Sequence, residues 1–167
     1  MSSQISRRLS LTTLIALLGL MAATMIIEAT AARSTTTDNG IVTVRSKFGV
    51  EETIDRLKKD IAAKGIMFFS AVDQAALAKN AGIELKPSTL LQFGNPPLGT
   101  QFITANPTAG LDWPVRVLVS QDGSGAVWVS YSDFSWIARR HGITNRDPQF
   151  KMASEVIASI TSVVLAD

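Results

Sequence analysis

The chain has 167 residues, enough for one domain, with a formal net charge of +2, a single histidine and no cysteine. The missing thiol excludes disulfides, cysteine metal sites, thiol nucleophiles and haem attachment through a CxxCH motif, and one imidazole cannot supply two or three histidine ligands to a metal within one chain. A balance so close to neutral leaves no electrostatic footprint for nucleic acid.

Ser6, Arg7 and Arg8 make a positive start, Leu9 to Ile27 is almost wholly apolar, and Glu28-Ala29-Thr30-Ala31-Ala32 supplies small residues at cleavage spacing. Residues 1–31 read as a signal peptide cut after Ala31 or Ala32, which predicts a periplasmic or secreted domain. Left uncleaved, the nineteen residues from Leu9 to Ile27 could span a hydrocarbon core of about 30 Å, and the protein would meet a membrane through that segment alone. Arg7-Arg8 resembles a twin-arginine export signal with Ser10 where Phe is usual, so that route and the general secretory one both stay open. Cleavage removes Arg7, Arg8 and Glu28 and leaves a formal charge of +1.

Residues 32–40 are polar and turn-forming, and read as a flexible tether before a domain at 41–167. Ile41 to Arg45 alternates with β-branched residues and predicts the first strand. Gly49 as N-cap, acidic Glu51 and Glu52, and the stripe Val50, Ile54, Leu57, Ile61 predict a helix closed at Lys64-Gly65. Ile66 to Val72 is short and apolar, as an interior strand packed on both faces would be. Asp73 can cap a helix over Gln74 to Ala81, stopped by Gly82. Ser88 to Phe93 follows as a strand, broken by Gly94-Asn95-Pro96-Pro97 because neither proline can donate to a ladder.

Leu98 to Ala105 reads as a short helix or as irregular structure, ended either way by Asn106-Pro107, and Leu111-Asp112-Trp113-Pro114 as a corner. Val115 to Ser120 and Ala126 to Tyr131, joined by Gln121-Asp122-Gly123-Ser124-Gly125, predict a β-hairpin. A helix over Phe134 to His141 is closed by Gly142, and a last one starts with Asp147 at the N-cap and Pro148 at N1. Met152, Val156, Ile160, Val163 and Val164 are its expected sheet-facing stripe. This order predicts an α+β domain, a mainly antiparallel sheet of about five strands with helices packed on one face.

Few residues offer chemistry. His141 ends a helix, where a cation is stabilised by the last carbonyls, and it is also the one candidate base. Asp112, between Leu111 and Trp113-Pro114, is either an Asx-type turn residue or a carboxylate screened from water. These two form the candidate acid-base pair, with Tyr131 or Arg139 to orient a substrate, although no spacing joins them. Gly94-Asn95-Pro96-Pro97-Leu98-Gly99 lacks the lysine and glycine spacing of a phosphate loop, and no motif names a cofactor. Rigid corners and aromatics instead outline a cleft edged by Phe93, Gly94, Asn95, Asp112, Trp113, Tyr131, Arg139 and His141.

The ordered set Phe93-Gly94-Asn95-Pro96, Gly99-Thr100, Asp112-Trp113-Pro114, the strand pair from Val115 to Tyr131 and the segment ending Arg139-Arg140-His141-Gly142 resembles the DUF302 family, or TT1751-like class, over about residues 41 to 144. The resemblance implies a small α+β domain, commonly a homodimer, with no settled activity. Many members carry Asp-His after the second strand and Asp-Leu-Pro at the corner, where this chain has Asp73-Gln74 and Asp112-Trp113-Pro114. The residues leave three readings open: a non-enzymatic homodimeric module that binds a small apolar ligand or a partner protein, a hydrolase or lyase that uses Asp112 and His141, or a purely structural module whose motifs are all packing and turns.

Overall fold

A computed structural model describes residues 35–165. The expected signal peptide, residues 1–31, lies outside that range. The strands are β1 (Thr35–Thr36), β2 (Ile41–Ser46), β3 (Met67–Asp73), β4 (Ser88–Gly94), β5 (Val115–Gln121) and β6 (Val127–Ser132). The helices are α1 (Val50–Ala63), α2 (Gln74–Asn80), α3 (Pro96–Ala105), α4 (Phe134–Arg140) and α5 (Asp147–Ser162), with a 3-10 helix at Pro107–Asp112.

One six-stranded sheet runs in the order β1-β2-β6-β5-β4-β3, and every pairing is antiparallel. The expected α+β architecture holds, with one strand more than the sequence suggested. Period-two alternation turns Val42, Val44, Leu91, Phe93, Val117, Val119, Val127 and Val129 toward the helices. They meet Leu57 and Ile61 of α1 and Phe150, Ala153, Ile157 and Ile160 of α5 in one core, which Phe102, Phe134 and Ile137 complete.

The differences from expectation have local causes. Within the expected tether, Thr35 and Thr36 pair with Thr43 and Val42 and make a hairpin. Its turn closes through Gly40 N–H to Thr37 O at 2.9 Å, with the Thr37 hydroxyl on the Asn39 side chain. Gly40 has φ +77°, and its Cα faces the Trp136 ring so closely that a Cβ would fall 2.1 Å from Cγ.

β3 is an edge strand and not an interior one. A short apolar run does not by itself say which faces are covered. Here the register shifts between Phe68 and Ser70, and Met67 and Phe69 are exposed. The prolines after Gly94 break β4 but also open α3 two residues earlier than expected, at the positions where a missing N–H costs nothing. Asn95 Oδ1 accepts the Leu98 N–H at 3.2 Å as the cap. In α5 the N-cap is Arg146, so Asp147 enters the first turn. The buried stripe of α5 is Phe150, Ala153, Ile157, Ile160 and Thr161, continued past its end by Val164; Ile160 and Val164 are buried as expected, and Met152 is 54 % exposed. Steps of three and four from Phe150 keep one face inward, and Met152 is off that face.

The β5–β6 hairpin is tied by Asp122. Its carboxylate accepts the Ser124 hydroxyl at 2.6 Å, the Trp128 indole N–H at 2.7 Å, and the N–H groups of Ser124 and Ala126. The Ser124 and Trp128 bonds hold its pKa down at about 2. A depressed carboxylate stabilises the fold above its unfolded value and loses that contribution as pH falls through the folded one. Acid titration of the wild type should therefore show an extra loss of stability between about pH 4 and about 2. Asp122→Asn should remove that step from a plot of melting midpoint against pH.

Candidate functional site

Two chain reversals build the polar centre. α3 ends at Ala105, and Asn106 Oδ1 accepts the Thr108 N–H at 3.0 Å, which starts the 3-10 helix and delivers Asp112 at its last position. α4 ends at His141, its C-cap, and Gly142 takes φ +59° to leave the helix. The Asn106 side-chain amide donates to the His141 carbonyl at 2.8 Å and locks the two reversals together.

His141 Nε2 lies 2.6 Å from Asp112 Oδ2, and Thr108 Oγ1 lies 2.9 Å from His141 Nδ1. A carboxylate only accepts, so Nε2 carries a proton and donates to Asp112. The Thr108 hydroxyl donates to Asn106 Oδ1 at 2.9 Å, which leaves its oxygen facing His141 Nδ1. Arg140 Nη1 reaches both Asp112 oxygens at 3.1 Å. Arg116 Nη2 donates to Asp112 Oδ1 at 3.2 Å and to Leu111 O at 2.8 Å. The Asp112 and His141 side chains are each 4 % exposed, whereas those of Arg116 and Arg140 are 46 % and 43 % exposed. The result is a sealed ion network with two wet arginines, and its ring nitrogens are both engaged. The one exposed residue hydrogen-bonded to the ring is Thr108.

The other nominated residues lie elsewhere. Phe93, Gly94, Asn95 and Trp113 line an apolar cavity of about 40 Å³ with Ile66, Leu98, Phe102, Phe134 and residues of α5. Trp113 is wedged against two backbones: a Cβ on Gly94 or on Gly99 would fall 2.3 Å from its ring. The cavity shares Ile66, Asn95, Leu98 and Val156 with an open groove of about 620 Å³ between α3 and α5. Tyr131 belongs to neither site. It pairs with Val42 and Val117 inside the sheet, where burial raises its pKa. Arg139 bonds Ser135 at 3.2 Å and points into a groove between α4 and α5, while its neighbour Arg140 holds Asp112. Gln74 accepts from the Ser88 hydroxyl at 2.7 Å and takes no part in the network.

Sequence reasoning missed Asn106, Thr108, Arg116 and Arg140. Three of them meet the pair from 28 to 35 residues away along the chain, beyond any local period. Only Arg116, four residues from Asp112, carried a short-range signal.

A solved structure, the crystal structure of an uncharacterized conserved DUF302 protein from Bacillus stearothermophilus, has a similar fold, with a TM-score of 0.69 over 75 % of this chain and 98 % of that one at 17 % identity. Among curated proteins, the fluoride-specific ion channel FluC 1 of Brucella suis biovar 1 (strain 1330) is 44 % identical over 106 residues, 64 % of this chain and 42 % of the relative. The protein of that name from Brucella abortus biovar 1 (strain 9-941) is likewise 44 % identical, over 39 % of its length. The chain thus spans about two fifths of the curated relatives it matches. Residues 42–165 match the family model described as domain of unknown function DUF302, which extends the likeness through α5 to the last described residue. By that match, the chain belongs to the DUF302 family.

Proposed function

We propose that this chain is an exported, homodimeric binding module that takes a small apolar ligand in the groove between α3 and α5 and performs no turnover. The observation that carries the reading is the separation of polar and apolar sites. Asp112 and His141 are spent on each other and on Thr108, Arg116 and Arg140. Open apolar space lies instead at the groove and the cavity beside Trp113.

The apolar run from Leu9 to Ile27 behind Arg7-Arg8 supports export to the periplasm or beyond. A second copy is supported by the sheet face opposite the core, where Leu90 and Leu118 are aligned with Ser130 and Thr43 across β4, β5, β6 and β2, and Trp128 lies two residues from Ser130 on the same side of β6. Occurrence of the domain in longer relatives with a channel name supports a module that works beside other parts.

A second reading, hydrolase or lyase chemistry, is favoured by the buried Asp112–His141 pair with the exposed Thr108 hydroxyl beside its ring, and it requires the Thr108 proton to turn from Asn106 Oδ1 to Nδ1. It converges on one atom, Thr108 Oγ1. Thermal-shift screening against apolar ligands with light scattering tests the first reading, which expects ligand stabilisation and a dimer mass. A strict monomer that no ligand stabilises, with ester or lyase turnover abolished in Thr108→Val, would move the assignment to the second.

A further inference from the structure

The groove and the cavity behind it also constrain what the ligand can be. The cavity, about 40 Å³, is walled by Phe93, Phe102, Trp113, Phe134, Ile157 and Ile160, with Asn95 the single polar residue of its lining. A water needs two to four polar partners, so this space stays dry and is filled favourably only by apolar atoms. It is far below the 300 Å³ or more of a pocket that takes a compact drug-sized ring system, so what enters is a chain end.

Ile66, Leu98 and Val156 continue from the cavity into the groove. Leu98 and Val156 are only half-buried, so their side chains have room to turn aside. The groove adds Met152, an unbranched and polarizable side chain left exposed where the fold does not use it. The two charged residues of the lining, Lys64 and Glu155, have opposite signs. Lys64 is held by Asp60 at 2.6 Å, and Glu155 lies 4.0 Å from Lys151. The uncharged hydrogen-bonding residues there are Gln149, Ser159 and Gln101, whose amide nitrogen donates to Pro97 O at 3.2 Å and whose Oε1 faces a head group as an acceptor.

We infer that the groove between α3 and α5 takes an unbranched alkyl amphiphile with an uncharged, hydrogen-bonding head, its tail end in the cavity beside Trp113 and its head among Gln101, Gln149 and Ser159. This rests on the binding-module reading and adds the ligand class to it.

Titration calorimetry of the purified protein with straight-chain 1-alkanols tests the assignment, with 1-adamantanol as the compact control and dodecanoate and dodecylammonium as charged heads. Affinity should rise about fourfold per added methylene, the alcohols should bind tighter than either charged head, and adamantanol should not bind. Ala153→Val, which fills the cavity from α5 without adding polarity, should weaken the longest alcohol at least tenfold while the melting midpoint holds or rises. Met152→Lys, at an exposed position, should weaken it in a protein whose fold is untouched.

Equal affinity across chain lengths, preference for a charged head, unchanged binding in both variants, or adamantanol binding as well as decanol would overturn the ligand class and leave the module reading standing. Failure of every apolar probe to bind would remove both.

Discussion

Asp112→Ala should lower the melting midpoint by on the order of 10 °C, the largest effect expected of any polar substitution in this chain. The carboxylate holds together His141, Arg116 and Arg140, and its removal leaves the His141 Nε2–H without an acceptor at 4 % exposure. Arg116 and Arg140 are 46 % and 43 % exposed and recover water, so most of the penalty falls on the imidazole. A broken buried pair of this kind costs about 3 kcal/mol once the arginines are discounted. Asp112→Asn keeps one acceptor oxygen and should lose less. Thermal melts followed by circular dichroism check both, and an Asp112→Ala midpoint equal to wild type would contradict the role assigned to the network.

Gly99→Ala should destabilise the domain by about 2 kcal/mol even though alanine is the better helix former by nearly 1 kcal/mol. The new methyl would stand 2.3 Å from Cε2 and 2.4 Å from Cζ2 of Trp113. The same ring rests on Gly94, where the corresponding distance to Cη2 is 2.3 Å, so any shift away from Gly99 must keep that second contact. The sign is diagnostic. With Trp113→Leu in place the clash disappears and only the propensity remains, so the same Gly99→Ala change should become neutral or stabilising. A double-mutant cycle measured by urea melts reads this directly.

Local signals carried much of the fold. Asp73 caps α2 through the Ala76 N–H at 2.9 Å, Gly65 ends α1 at φ +64°, and the Gly-rich loop after Gln121 makes the β5–β6 hairpin. These features depend on a few neighbouring residues, which a sequence displays. Edge placement of β3 was not legible, since Met67-Phe68-Phe69 reads alike on an edge or in an interior. Met152 and Val156 of the expected stripe stand one step off the face that Phe150 fixes, whereas Ile160 and Val164 of the same stripe are buried.

At the candidate site, Asp112 and His141 stood out by scarcity and by their corners, and the fold sets them 2.6 Å apart. Scarcity could not rank Arg139 against Arg140. One residue is about 100° around a helix, and that turn decides which guanidinium meets Asp112. Asn106 and Thr108 act through the geometry of a 3-10 turn that opens right after α3, and Asn106-Pro107 announces only the break.

The central claim is that polar network and apolar groove do separate jobs, one holding the fold and the other meeting the ligand. Melting midpoints with and without a saturating long-chain alcohol, measured side by side for Asp112→Asn and Ala153→Val, test it most directly. The account predicts a lowered midpoint with an undiminished ligand shift for Asp112→Asn, and an unchanged or raised midpoint with the shift lost for Ala153→Val. A folded Asp112→Asn protein that no longer responds to the alcohol, beside an Ala153→Val protein that responds fully, would contradict it.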